Sequence, residues 1–217
     1  MRNKTNESLM EVIEKLPLTL KERLEMEEIV RTPASWEEFY ELVMDCEYTV
    51  EYYQNEIISM GFASDTHELI VANIIRLLGN AYLKTAHRVY GSNRLVYIAD
   101  CQASFNPDVL VVGGQPEFYT YQKLQATTNP YLIVEVQSKS TQDYDLLEKL
   151  PCYKKMESLK YVLFVSQSRT WASLYERIEN SKQWLNTDFE DFAQEISIGD
   201  IKILLADIYE KSILQGK

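Results

Sequence analysis

Glycine and proline are scarce in this chain, 7 and 6 of 217 residues. That excludes collagen-like, mucin-like and linker-rich architectures. No apolar run approaches the roughly 18 residues of a membrane-spanning helix. The opening segment has no apolar stretch of the kind that makes a secretory signal. Cysteine is limited to Cys46, Cys101 and Cys152. They lie far apart in sequence, so neither a disulfide framework nor a CxxC metal site is expected. The default expectation from these absences is a soluble protein in a reducing cytoplasm, with no membrane association. Basic residues are also in the minority, 22 against 33 acidic, for a net charge of −11. Such a field repels nucleic acid overall. It still permits a local basic groove, or a site where divalent cations neutralise clustered carboxylates.

What is present is ordinary globular material, 46% hydrophobic and 25% charged. A chain of this length suits one domain, with room for a small appendage. Residues 5–31 read as two short amphipathic helices broken at Pro17. Ser35 with Glu38 three residues later forms a capping-box pattern ahead of Trp36, Phe39, Tyr40 and Val43. Residues 48–53 and 56–60 flank Gln54-Asn55 as a hairpin. Asp65 or Thr66 then caps a long helix over about 66–86 with an apolar stripe. From 88 the period changes to that of strands: 88–91, 95–99, 108–112, 131–137, 161–167 and 172–178. One helix, about 141–157, interrupts them. Residues 113–130 read as a polar loop, 195–204 as short strands and 205–213 as a short helix. This irregular α/β order argues against a barrel or a doubly wound nucleotide fold. The chain has no GxGxxG motif or P-loop either.

Three features carry chemistry. Pro107-Asp108 opens a strand, a place where proline is structurally common. Glu135 is an acid inside the apolar run 131–137, on the same face as Ile133 and Gln137. An unpaired buried carboxylate is costly, so Glu135 requires a partner, either a basic side chain or a metal. Asp145, Lys149 and Tyr153 repeat at i, i+4 and i+8 on the following helix; alone, this stripe reads as an ordinary surface pair. Taken together, an acid on each of two strands and a nearby lysine suit metal-dependent phosphodiester hydrolysis. Two carboxylates hold the ion, and the lysine stabilises developing charge.

The run Ile133-Val-Glu-Val-Gln-Ser-Lys-Ser-Thr-Gln-Asp-Tyr-Asp-Leu-Leu-Glu-Lys-Leu-Pro-Cys-Tyr153 resembles the central motif of the Uma-two family. These are candidate restriction endonucleases, a bacterial branch of the PD-(D/E)XK nuclease superfamily. Trp36 to Phe39, Glu51, His67, Pro107-Asp108 and the segment from Ile198-Gly199 to Ile208 are similar to further family positions. The likeness covers about 33–213. It implies an α/β restriction endonuclease-like fold, a central mixed sheet flanked by helices, with residues 1–33 as an N-terminal helical extension and 34–217 as the nuclease domain. It implies Asp108 and Glu135 as ligands of Mg²⁺ or Mn²⁺, and Lys149 in place of the usual strand lysine. Glu51 would be an upstream acid contacting metal or water. His67 matches a family histidine suited to proton transfer or to a structural hydrogen bond. Tyr153 reads as packing.

The implied activity is endonucleolytic cleavage of nucleic acid, DNA first. Separately, the surplus of aromatics (15 Tyr, 7 Phe, 3 Trp) and the prevalence of two-fold dimers lead us to expect a homodimer. A small-molecule or nucleotide phosphodiesterase on the same site is one alternative; the other is an inactive nuclease fold serving as a binding or regulatory subunit. The inactive fold is favoured by Gln137, which stands where the family has lysine and carries no charge, and by Pro151, which is expected to kink the helix of Lys149. Lys139, Lys149, Lys154, Lys155 and Lys160, with Arg76, Lys84, Arg88 and Arg94, are candidates for a phosphate-tracking rim.

Overall fold

The computed structural model describes residues 20–26, 29–44 and 46–214. The first of the two expected N-terminal helices lies outside these residues. Of the second, Leu20–Leu24 is helical (α1). Residues 30 and 31, expected in that helix, instead belong to strand β1, Val30–Pro33. β1 pairs antiparallel with β3, Glu56–Ser59, with Val30 opposite Ser59. A β-branched residue at this sheet edge finds a ladder partner that outweighs a weak helical period.

Ser35 caps α2, Trp36–Val43, with both halves of the expected capping box formed. Ser35 Oγ accepts the Glu38 N–H, and Glu38 Oε2 accepts the Ser35 N–H at 2.7 Å. Ser35→Ala is expected to cost about 1 kcal/mol of stability, measured by urea unfolding; an unchanged midpoint would show that the cap is dispensable. β2, Glu51–Tyr53, and β3 form the expected hairpin. Its turn residues Gln54 and Asn55 both have positive φ, 51° and 61°, the geometry of a tight hairpin turn. The long helix α3, Asp65–Tyr82, is capped by Ser64 rather than by Asp65 or Thr66. Ser64 is extended and its Oγ accepts the His67 N–H, which places the helix start one residue earlier than the charge pattern suggests.

Two sheets carry the chain. The six-stranded one has the order β13-β12-β11-β10-β7-β4. Its strands are β4 (His87–Gly91), β7 (Val109–Gly113), β10 (Leu132–Gln137), β11 (Tyr161–Ser166), β12 (Ala172–Arg177) and β13 (Trp184–Phe189). It is mixed: β10 and β11 run parallel, and the other pairings are antiparallel. A parallel pair needs a crossover, and the segment between β10 and β11 supplies it through one composite helix, α4, which starts at Gln142 and ends at Tyr153. The seven-stranded sheet has the order β1-β3-β2-β6-β5-β9-β8. It adds β5 (Val96–Ile98), β6 (Ala103–Phe105), β8 (Phe118–Tyr121) and β9 (Leu124–Thr127). β8 and β9 form a hairpin inside the segment expected to be a loop; its turn residue Gln122 is left-handed, a conformation that residue type does not announce. The hairpin of β14 (Glu195–Ile198) and β15 (Ile201–Leu204) leads into α5, Leu205–Ile208.

Every residue of β10 and β11 is buried. Leu132, Val134 and Val136 pack with Ile70, Ile74 and Leu78 of α3. Ile133 faces the other way, with Leu110, Phe105 and Phe164. Trp36, Tyr40, Tyr97, Tyr119 and Tyr121 pack ring against ring within the chain, with Tyr40 stacked on Tyr121 at 4.7 Å. Much of the aromatic surplus therefore has an intramolecular use. Cys101 and Cys152 are joined in a disulfide, contrary to the expectation of unpaired thiols. Their separation of 51 residues hid a contact between the turn Ala99–Cys101 and the last turn of α4. Among the described residues no helix is long and apolar enough to cross a membrane.

Candidate metal-dependent active site

The register of the β7–β10 ladder brings the first two acids together. Val109 pairs with Val134, Leu110 with Ile133 and Val111 with Leu132. One step further, Asp108 stands opposite Glu135, and opposed residues of an antiparallel pair point to the same face. Asp108 Oδ2 accepts the Val136 N–H at 2.7 Å, which ties the carboxylate to the Glu135 strand. His67, on the first turn of α3, places Nε2 3.3 Å from the same oxygen. Burial pulls the His67 pKa down, but the hydrogen bond and charge of Asp108 outweigh it, and the net shift is upward.

α4 supplies the cation. It runs as an α-turn Gln142–Tyr144, a π-helical turn Asp145–Lys149 and an α-turn Leu150–Tyr153. Pro151 has no N–H to donate one turn back. The wide turn accommodates this, with the Leu150 N–H reaching Asp145 O five residues earlier. The helix widens, and Lys149 turns inward: it is 2% exposed. Its Nζ lies 3.0 Å from Glu51 Oε1, 3.3 Å from Glu135 Oε1 and 3.3 Å from Asp145 Oδ1. The Asp145–Lys149 stripe is thus a buried cluster, and the surface-pair reading of it does not hold. Burial disfavours the Lys149 ammonium, but Glu135, Glu51 and Asp145 prevail and hold its pKa well above the usual range. Three carboxylates share that single ammonium. Burial and the neighbouring acids push Glu135 well up, and Asp145 up to about 6.

Two tyrosines complete the cluster. Tyr153, expected as packing, donates its hydroxyl to Glu135 Oε1 at 2.6 Å. Tyr144, which sequence reading passed over, donates to Glu51 Oε2 at 2.9 Å. Glu51 is fully buried and its other oxygen accepts the Asn106 N–H at 2.7 Å, two residues before Asp108. It braces the Asp108 loop, the Lys149 ammonium and α4 at once. Tyr153→Phe is expected to lower stability by about 1.5–3 kcal/mol, the range for a hydrogen bond to a charged group. A chemical-denaturation midpoint equal to wild type would reduce this contact to simple packing. Gln137 is 2% exposed and neither amide atom has a protein partner.

A pocket of about 620 Å³ opens over this cluster. Asp108, Glu135, Asp145, Lys149 and His67 line it, whereas Glu51, Gln137, Tyr144 and Tyr153 do not. Of the basic residues expected as a phosphate rim only Lys149 reaches the pocket; Arg23, not singled out in the sequence, is the other cation there. The rest are engaged elsewhere or stand away: Arg76 pairs with Glu210, Arg94 packs over Tyr90 and Phe118, and Lys154 packs over Tyr175. Among the described residues no three acidic, histidine or cysteine side chains converge as a ready-made metal cage. Mg²⁺ does not require one, since it is commonly held by one or two carboxylates and keeps several waters. Asp108 and Glu135 are hard oxygen donors beside an excess of buried negative charge, so they fit such an ion.

The chain is 31% identical to an uncharacterized protein of Synechocystis, sll1609, over 153 residues, 70% of this chain and 85% of that one. A second Synechocystis protein, slr1290, also uncharacterized, is 28% identical over 64% of this chain and 72% of its own length. The fold matches a crystal structure from Anabaena variabilis described as a "putative nuclease belonging to DUF820", with a TM-score of 0.60 at 14% identity. The match covers 89% of this chain and 98% of that one. The family described as "Putative restriction endonuclease", Uma2, matches residues 36–201, which span both strand acids, Lys149, the six-stranded sheet and every strand of the seven-stranded sheet but β1. The chain therefore belongs to the Uma2 family and carries its nuclease-type fold.

Proposed function

We propose that this protein hydrolyses phosphodiester bonds of nucleic acid, DNA in the first instance, with Mg²⁺ or Mn²⁺ held by Asp108 and Glu135. The observation that carries this reading is the Lys149 ammonium, buried among Glu51, Glu135 and Asp145 on the floor of the pocket that Asp108 enters. Family membership supports the nuclease class. A bound divalent ion supplies Lewis acidity at the phosphoryl oxygen and acidifies a water. Glu135 is oriented by Tyr153 and Asp108 by the Val136 N–H, so each presents its oxygens without reorganisation. Lys149 places positive charge where the pentavalent phosphorus develops negative charge. Gln137 shares the strand face of Glu135 but does not line the pocket, so its part is limited to the buried surroundings of Glu135. Glu51 acts by positioning Lys149 and the Asp108 loop. Cleavage assays with Mg²⁺, Mn²⁺ and an EDTA control on DNA and RNA test this; activity that persists in EDTA would overturn it.

A second reading is a binding or regulatory subunit on the same fold. The observation favouring it is that Lys149 is committed to three acids while Gln137 carries no charge. Tight nucleic-acid binding with no cleavage under any divalent ion would select it. A homodimer remains part of the proposal; a single species of 25.3 kDa in concentrated sedimentation runs would remove it.

A further inference from the structure

Phe62 is the one aromatic side chain among the described residues that stands in the open, 59% exposed. An isolated exposed apolar residue is unremarkable, but this one lines the pocket that contains Asp108, Glu135 and Lys149. It lies on the link between β3 and α3, five residues before His67. Gly61 pins that link: a Cβ there would come within 2.7 Å of the Met26 carbonyl oxygen, so the backbone runs tight against its neighbour. Arg23 fixes it from the other side, donating from Nε to the Met60 carbonyl at 3.1 Å. The Arg23 guanidinium carbon is 4.8 Å from the centroid of the Tyr48 ring and 5.8 Å from that of Phe62. The result is a braced aromatic side chain with a cation over its ring, in the same pocket as the acids.

Glu135 and Lys149 are buried, 3% and 2% exposed, while the Asp108 side chain, at 16%, meets the pocket. A duplex carries its phosphates on a stiff cylinder, whereas an unpaired strand rotates about its backbone and enters such a recess more readily. Aromatic faces hold unpaired strands because every base has a stacking surface.

We propose that the nucleic acid taken by this site is unpaired, a single strand or a frayed end. One base stacks on Phe62, and Arg23 faces the adjoining phosphate. This rests on the nuclease reading and specifies its substrate class. The test uses a short single-stranded oligodeoxynucleotide carrying one 2-aminopurine, and the same sequence as a blunt duplex, titrated with the full chain in Ca²⁺. The single strand is expected to bind at least about tenfold tighter than the duplex, with quenched 2-aminopurine fluorescence. Phe62→Ala is expected to lose about tenfold in affinity together with the quenching, and Phe62→Trp to keep both. Duplex binding as tight as that of the single strand would overturn the proposal, as would Phe62→Ala with affinity and quenching intact. The nuclease reading would survive either result if Mg²⁺-dependent cleavage is retained. Dissociation of a dimer by Phe62→Ala would assign Phe62 to a subunit contact and equally overturn the proposal. Failure of every nucleic acid to bind or be cut would overturn both.

Discussion

Replacing Lys149 by alanine is expected to lower the unfolding free energy by about 3–5 kcal/mol, the range for breaking a buried ion pair from one side. The reason is local. Glu51, Glu135 and Asp145 lose the one ammonium they share, and side-chain exposures of 0%, 4% and 4% leave them no water to turn to. An exposed Asp–Lys pair in a helix would be worth only about 0.3–0.5 kcal/mol. Under saturating Mg²⁺ the cleavage rate of the same variant is expected to fall at least ~100-fold, the scale for one lost electrostatic stabiliser. Lys149→Met keeps most of the stem volume and isolates the charge; it is expected to lose the rate as fully. Gln137 lies two residues beyond Glu135 on the same strand face, roughly 7 Å along it. Gln137→Lys with Lys149→Ala returns a cation to that face and is expected to recover part of the rate. Urea unfolding and single-turnover cleavage separate the two effects. A stability change below about 1 kcal/mol would contradict the buried cluster. Undiminished cleavage by Lys149→Ala would remove the lysine from the mechanism.

Removing Asp108 and Glu135 together is expected to abolish stabilisation by metal. An ion that binds only the folded chain stabilises it by ~2.7 kcal/mol at a hundredfold excess over its Kd. Wild type in Mn²⁺ should show that increment and Asp108→Ala/Glu135→Ala should show none. The expectation rests on the ladder register, which sets the two acids opposite each other, and on the Val136 N–H that fixes Asp108 against β10. Isothermal titration giving the same Mn²⁺ affinity for both proteins would refute the shared site. Tyr153→Phe offers an internal comparison. It leaves both carboxylates in place and should preserve Mn²⁺ binding more fully than the double variant does.

Short-range order is legible in the amino-acid sequence. The Ser35–Glu38 capping box, the Gln54-Asn55 hairpin and the apolar stripe of α3 depend on residues within a turn or two of each other, where spacing alone sets which face is shared. Glu135 in an apolar strand announced itself because a buried acid demands a partner, and that partner was found in Lys149 and Tyr153. Other features depended on contacts between distant segments, whose formation no local period encodes. Glu51 meets Tyr144 across 93 residues, and Cys101 meets Cys152 across 51. β8 and β9 are stabilised by docking on β5, since an isolated hairpin is marginal in water. Pro151 signalled a break in a helix, and only the packed structure showed that the break is a π-turn that drives Lys149 inward. The chain's own residues determined which groups could do the chemistry. Tertiary packing decided their depth and neighbours, because burial and charge partners belong to the assembled core and to no single segment of the chain.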